Sequence, residues 1–76
     1  MDNVYFLNGD EPVLNAHYAN IHHPDGTITK VSIEDLRKAV HKARQSTDEK
    51  DKHQSFSVFD GDNWYGLYRF SELDLD

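Results

Sequence analysis

At 76 residues, a net charge of −6 and a mean hydropathy of −0.81, the chain has room for one domain around one modest core. Its hydrophobic fraction of 37% is too rich for a disordered tail, and without cysteine neither a disulfide nor a thiolate metal site can brace the fold. No run approaches the ~20 apolar residues of a membrane span, and the opening Met1-Asp2-Asn3-Val4 lacks a basic start and long apolar stretch, so a cytoplasmic protein is expected.

Val4-Tyr5-Phe6-Leu7, closed by the turn residues Asn8-Gly9-Asp10, reads as a first strand. Residues 13–22 alternate loosely, with Leu14, Ala16 and Tyr18 on one face and Ala19 and Ile21 on the other. His23-Pro24-Asp25-Gly26 then makes a turn, and the β-branched Thr27-Ile28-Thr29-Lys30-Val31 returns as the partner strand of a hairpin. Ser32 is a helix N-cap with Asp35 three residues on, and Ile33, Leu36, Val40 and Ala43 form one apolar stripe behind it. Glu34 and Asp35 in the first turn and Lys42 and Arg44 in the last suit the helix dipole. Residues 46–54 carry no apolar side chain and read as a mobile loop.

Phe56-Ser57-Val58-Phe59 and Trp64-Tyr65-Gly66-Leu67-Tyr68 flank Asp60-Gly61-Asp62-Asn63, a second hairpin that sets Phe59 opposite Trp64. Period two then assigns Phe56, Val58, Tyr65 and Leu67 to one face and Phe59, Trp64, Tyr68 and Phe70 to the other. Both faces are apolar, yet one helix can cover only one of them. Either the sheet curls under loops and the C-terminal Leu73 and Leu75, or the second face meets another subunit or a target. The whole chain, 1–76, is therefore expected to be a single α+β domain. Its order is β-β-β-α-β-β, an antiparallel sheet with one helix packed on one face.

Charge is distributed unevenly along this order. Residues 1–29 hold four acids and no Lys or Arg, residues 30–53 hold seven bases against five acids, and residues 54–76 hold five acids against Arg69. Such a field repels nucleic acid and attracts basic proteins. Ser71-Glu72-Leu73-Asp74-Leu75-Asp76 alternates acid and Leu, so an extended chain would align Glu72, Asp74 and Asp76 along one edge at ~6.8 Å, a spacing that imitates a phosphate backbone. A frayed solubilising end is the plainer account of the same residues.

Candidate chemistry is sparse. His22-His23 before Pro24-Asp25-Gly26, followed by a strand and a helix carrying His41, resembles the ββα-metal arrangement of HNH nucleases. That resemblance implies a water-activating His on the hairpin and a metal-binding His on the helix. The sequence departs from it, with no suitably placed Asn, no bracing cysteines and an acidic surround. His17, His23 and Asp25 fall short of a zinc ligand set, and Asp60-Gly61-Asp62-Asn63 lacks the later ligands and glycine of a calcium loop. Lys38, His41, Lys42 and Arg44 form a small basic helix face, interleaved with acids as a solvated face would be. No Gly-rich phosphate loop or catalytic triad order is visible.

By elimination the chain is expected to be a small acidic, non-enzymatic protein without metal or cofactor. It would inhibit or modulate a larger partner in the manner of phage-type inhibitors of nucleic-acid-handling host machinery, by nucleic-acid mimicry. Its expected recognition residues are the acids Asp10, Glu11, Asp60, Asp62, Glu72, Asp74 and Asp76 and the aromatics Phe59, Trp64 and Tyr68. The expected partner is a basic, nucleic-acid-binding protein, or a second copy of the chain; no direct contact with nucleic acid or membrane is expected. A structural homodimer or accessory subunit is the alternative, and an HNH-like nuclease a remote one.

Overall fold

The computed structural model describes residues 2–75, so Asp76 lies outside the described residues. The fold is α+β, as its periodicities require, with the main helix α1 (Ile33–Gln45) lying against antiparallel sheet. Ser32 caps α1, its Oγ accepting from the Asp35 N–H at 3.1 Å, and the stripe Ile33, Leu36, Val40 and Ala43 is buried. That stripe packs with Val4, Phe6, Ala19, Ile21, Phe56, Val58, Phe70 and Leu73 into one core.

The sheet is more divided than a five-strand reading implies. Among the described residues, β1 (Asp2–Phe6), β2 (Val13–Ala16) and β7 (Leu73–Asp74) form one sheet in the order β2-β1-β7. β3 (Tyr18–His22), β4 (Ile28–Ser32), β5 (Ser55–Asp60) and β6 (Asn63–Arg69) form a second, in the order β4-β3-β5-β6. The cause sits at Asn15, whose φ of 59° bends the segment that the alternation reads as one strand. Asparagine tolerates this left-handed conformation better than most residues. Between the pairs Asp2↔Ala16 and Val4↔Val13, β2 carries one extra residue, so both Val13 and Ala16 turn inward while Leu14 turns out. After His17 the chain continues as β3, which pairs with β4 on one side and β5 on the other.

Two other expectations are corrected. The stretch after α1 is not a featureless loop: Asp48 caps a short helix α2 (Glu49–Lys52) through the Lys50 N–H, and Ser46 Oγ donates to Asp51. Capping by Asp suffices for one turn here without any apolar stripe. The C-terminus is not a continuous extended row of carboxylates either. Phe70–Glu72 is a single 3-10 turn, Phe70 enters the core, and Leu73 is buried where β7 pairs with Tyr5 and Phe6 of β1. Arg44 of α1 holds this turn in place by donating to the carbonyls of Phe70 and Leu73. Burying Phe70 and Leu73 outweighs any preference of the acidic residues for a free, solvated tail.

Candidate functional site

The hairpin β5–β6 decides which aromatic side chains reach solvent. Phe59 does stand opposite Trp64, and Asp60 opposite Asn63. The pairing then slips: Ser57 faces Leu67 and Phe56 faces Tyr68, so β6 spends three residues where β5 spends two. The extra residue is accommodated at Tyr65-Gly66, with Gly66 at φ 134°. A one-residue slip exchanges the faces of everything beyond it. Leu67 therefore joins Phe59 and Trp64 on the outer face. Tyr68 turns to the core side, stacked on Phe6 at 4.0 Å between ring centroids and tilted against Phe56 at 5.7 Å. The expected trio of Phe59, Trp64 and Tyr68 is thus split, and Phe70 leaves that face altogether.

Among the described residues, no helix or strand covers the outer face of the four-stranded sheet. Its aromatic row runs across the strands from Tyr18 through Phe59 to Trp64, because Tyr18 pairs with Phe59 and Phe59 with Trp64. The Tyr18 and Phe59 rings lie parallel, 4.9 Å apart, and Lys30 Nζ sits 4.4 Å from the Tyr18 ring centre. Trp64 is 61% exposed, with Leu67 and Ile28 each 58%. Across the middle of the sheet, Ser57 is buried and hydrogen-bonds His22 at 3.2 Å. At the turn end, Asp60 pairs with His17 and Asp62 is exposed; at the other end, Arg69 lies in register with Ser55 and His22. Tyr18, Lys30 and Leu67 belong to this surface although sequence reasoning did not assign them to it. The signal for Leu67 was Gly66 inside a strand, a common mark of a bulge.

A second surface lies on the core side of β6. The loop Asp10–Leu14 and the side chains of Tyr65 and Tyr68 enclose a cleft of about 500 Å³. Asp10 is held at the loop by Asn8, whose Oδ1 accepts from the Asp10 N–H and whose amide donates to its carboxylate. Tyr68 Oη donates to the Tyr65 carbonyl at 2.9 Å. Partial burial, then the negative charges of Asp10 and Glu72, push the Tyr68 phenol above its ordinary range. Glu72 also accepts from the Arg69 N–H at 3.1 Å, so it has a structural task beside its charge. The structure thus gathers Asp10, Glu11 and Tyr68 at the cleft, with Glu72 near enough to act on the Tyr68 phenol, while Asp60 and Asp62 stand apart at the β5–β6 turn. Asp74 sits in β7 opposite Tyr5.

A cleft of about 670 Å³ lies between the C-terminal half of α1, α2 and the β3–β4 turn, lined by apolar residues such as Ile21 and Phe70 and by His23, Lys42, Asp51 and Gln54. Its histidine is spoken for: His23 Nδ1 bonds Gln54 at 3.1 Å and Nε2 bonds Thr29 at 2.8 Å. His22 is bonded to Ser57 and His41 to Gln45, so the three histidines of the nuclease-like pattern each have local partners. Among the described residues, no three His, Cys, Asp or Glu side chains gather within reach of one metal ion. Among the described residues, no helix is long and apolar enough to cross a membrane. Comparison with protein-family models, curated proteins and solved structures finds no match to this chain.

Proposed function

We propose that the chain is a non-enzymatic acidic binding protein that seats a basic segment of a larger protein in the cleft between the Asp10–Leu14 loop and Tyr65 and Tyr68. The reading rests on one observation: Asp10 and Glu11, distant in sequence from Tyr65 and Tyr68, line one cleft with that pair of tyrosines. Carboxylates supply charge-assisted acceptors for Lys or Arg, and tyrosine faces accept a guanidinium or ammonium by cation–π attraction of ~0.5–2 kcal/mol. The net charge of −6 extends that attraction beyond contact and raises the association rate with basic surfaces. A basic, nucleic-acid-binding protein is the partner class, and occupying its basic groove would inhibit or modulate its work on nucleic acid.

The probe for the test is a short arginine-rich peptide titrated into isotope-labelled protein and followed by NMR. Chemical-shift changes should centre on Asp10, Glu11, Tyr65 and Tyr68, and binding should weaken about tenfold in the Asp10→Asn, Glu11→Gln double variant. Glu34→Gln with Glu49→Gln removes the same charge from exposed helix positions and should weaken it far less. Equal losses in the two double variants, or shifts centred on α2, would reject the cleft as the binding surface.

A further inference from the structure

We propose that Asn8-Gly9 is a self-modifying site, where the Asn8 side-chain amide closes on the Gly9 backbone nitrogen, sheds ammonia and leaves a carboxyl group in the acidic loop. The chemistry stands on the geometry of that turn; only its consequence rests on the reading of the cleft as a seat for a basic segment.

The chain has five asparagines, Asn3, Asn8, Asn15, Asn20 and Asn63. Four of them lie in β1, β2, β3 and β6 and are followed by Val, Ala, Ile and Trp. A following side chain crowds the approach to its own amide nitrogen, and strand pairing restricts the backbone on either side. Asn8 differs on both counts, since it lies in the exposed turn after β1 and Gly9 follows it. The space around Gly9 is open: a Cβ built there would meet nothing within 4 Å, and its φ of 86° is one that glycine adopts freely. Among the described residues the Gly9 N–H donates to no backbone acceptor, so hydroxide can reach its proton.

The turn also prepares the carbonyl. Asn8 Oδ1 accepts from the Asp10 N–H at 3.1 Å, and Asn8 Nδ2 donates to the Asp10 carboxylate at 3.1 Å. The first of these bonds makes an Asx-turn, which folds the side chain back along the backbone towards Gly9. When hydroxide takes the Gly9 proton, the nitrogen bonds to Asn8 Cγ and the carbonyl electron pair moves onto Oδ1. The Asp10 N–H is then a donor already in place for the developing oxyanion. Collapse breaks the Cγ–Nδ2 bond, and the amine takes a proton from water and leaves as ammonia. Water then opens the five-membered imide at either carbonyl, giving an aspartyl or isoaspartyl residue at position 8. Water is the only co-reactant, and nothing is oxidised or reduced.

Either product adds one negative charge to the net charge of −6, beside Asp10 and Glu11 on the wall of the cleft. Asp10 also loses the donor that Asn8 Nδ2 supplied, and two carboxylates now face each other there. Asp10 is thereby released to meet a cation, and the cleft attracts a basic segment more strongly as the protein ages.

The test incubates the folded chain in mildly alkaline buffer beside the same chain unfolded in urea, and maps both by peptide mass. Ammonia loss should be confined to Asn8, quicken as hydroxide rises, and run at least as fast folded as unfolded. Asn8→Gln, which must close a larger ring, should stay intact under the same conditions with unchanged circular dichroism. A folded chain that keeps the Asn8 amide while the unfolded chain loses it overturns the proposal, because the turn would then shield the amide. Equal ammonia loss at Asn3 or Asn63 overturns it as well, since the turn would then do nothing. An arginine-rich peptide reads the consequence: it should bind aged protein and Asn8→Asp about threefold more tightly than fresh protein, and aged Asn8→Gln as fresh protein does. Unchanged or weaker binding after conversion overturns that consequence. If no form binds the peptide, the cleft reading fails, while conversion at Asn8, read by mass alone, stands.

Discussion

Tyr68 is the residue on which the two sides of the hairpin meet. Its ring is packed on Phe6 and Phe56, while its hydroxyl reaches the cleft where Asp10 and Glu72 oppose ionisation. Because the folded-state pKa is raised, the neutral phenol favours folding below the ordinary value of about 10. That contribution disappears as pH rises through the folded value. Ultraviolet titration should show Tyr68 ionising above the ordinary tyrosine value of about 10, and Asp10→Asn should bring it part of the way back, burial being the larger cause. Stability should therefore begin to fall above about pH 10, where the unfolded phenol ionises and the folded one does not. Gly66 stands in direct contact with the same ring. A Cβ there would lie 2.9 Å from Tyr68 Oη, at a φ of 134° that side-chain-bearing residues rarely adopt. Gly66→Ala should cost about 1–3 kcal/mol in denaturant unfolding. A neutral substitution would show that the hydroxyl can swing away and that the bulge is not held by glycine.

At the scale of elements, α1 was legible because cap, stripe and charge order all pointed to the same thirteen residues. Ser32→Ala should therefore lower stability by about 1 kcal/mol, read from the urea midpoint at constant slope. The β3–β4 hairpin was equally plain from His23-Pro24-Asp25-Gly26. There Asp25 accepts from both the amide and the hydroxyl of Thr27, which hold its carboxyl below the usual range. What sequence alone did not resolve were the two places where a strand gains one residue. Asn15 and Gly66 each looked compatible with an unbroken strand, since a bulge is decided by whether the side chains beyond it pack better when shifted. At Gly66 the shift seats Tyr68 on Phe6, a residue more than sixty positions away that no local pattern can see. The acidic and aromatic residues expected to act together do not form one group in the fold. Tyr68 leaves the outer aromatics because of this shift, and Asp60 and Asp62 lie apart from Asp10 and Glu11 because the β5–β6 turn carries them to a different part of the molecule.

For the molecule as a whole, the consequence is a small protein with two differently made surfaces divided by one strand. The core side of β6 presents tyrosine among carboxylates; the outer side presents tryptophan and leucine without them. The bend at Asn15 has a bearing on how such a body opens. β2 and β3 are one length of chain with His17 between them, so the sheet β2-β1-β7 and the sheet β4-β3-β5-β6 are threaded on a common strand. His17 itself is tied across the junction, its N–H donating to the Phe59 carbonyl at 2.9 Å. Neither sheet can detach without tugging the other out of register. Amide hydrogen exchange should report this as one event: Val4 of β1 and Val58 of β5 should exchange with the same opening free energy and the same dependence on denaturant. Were β1 to exchange well before β5, the bend would be a hinge between separable units. Where the two coincide, a single asparagine turns two small sheets, each too slight to persist alone, into one cooperative folding unit.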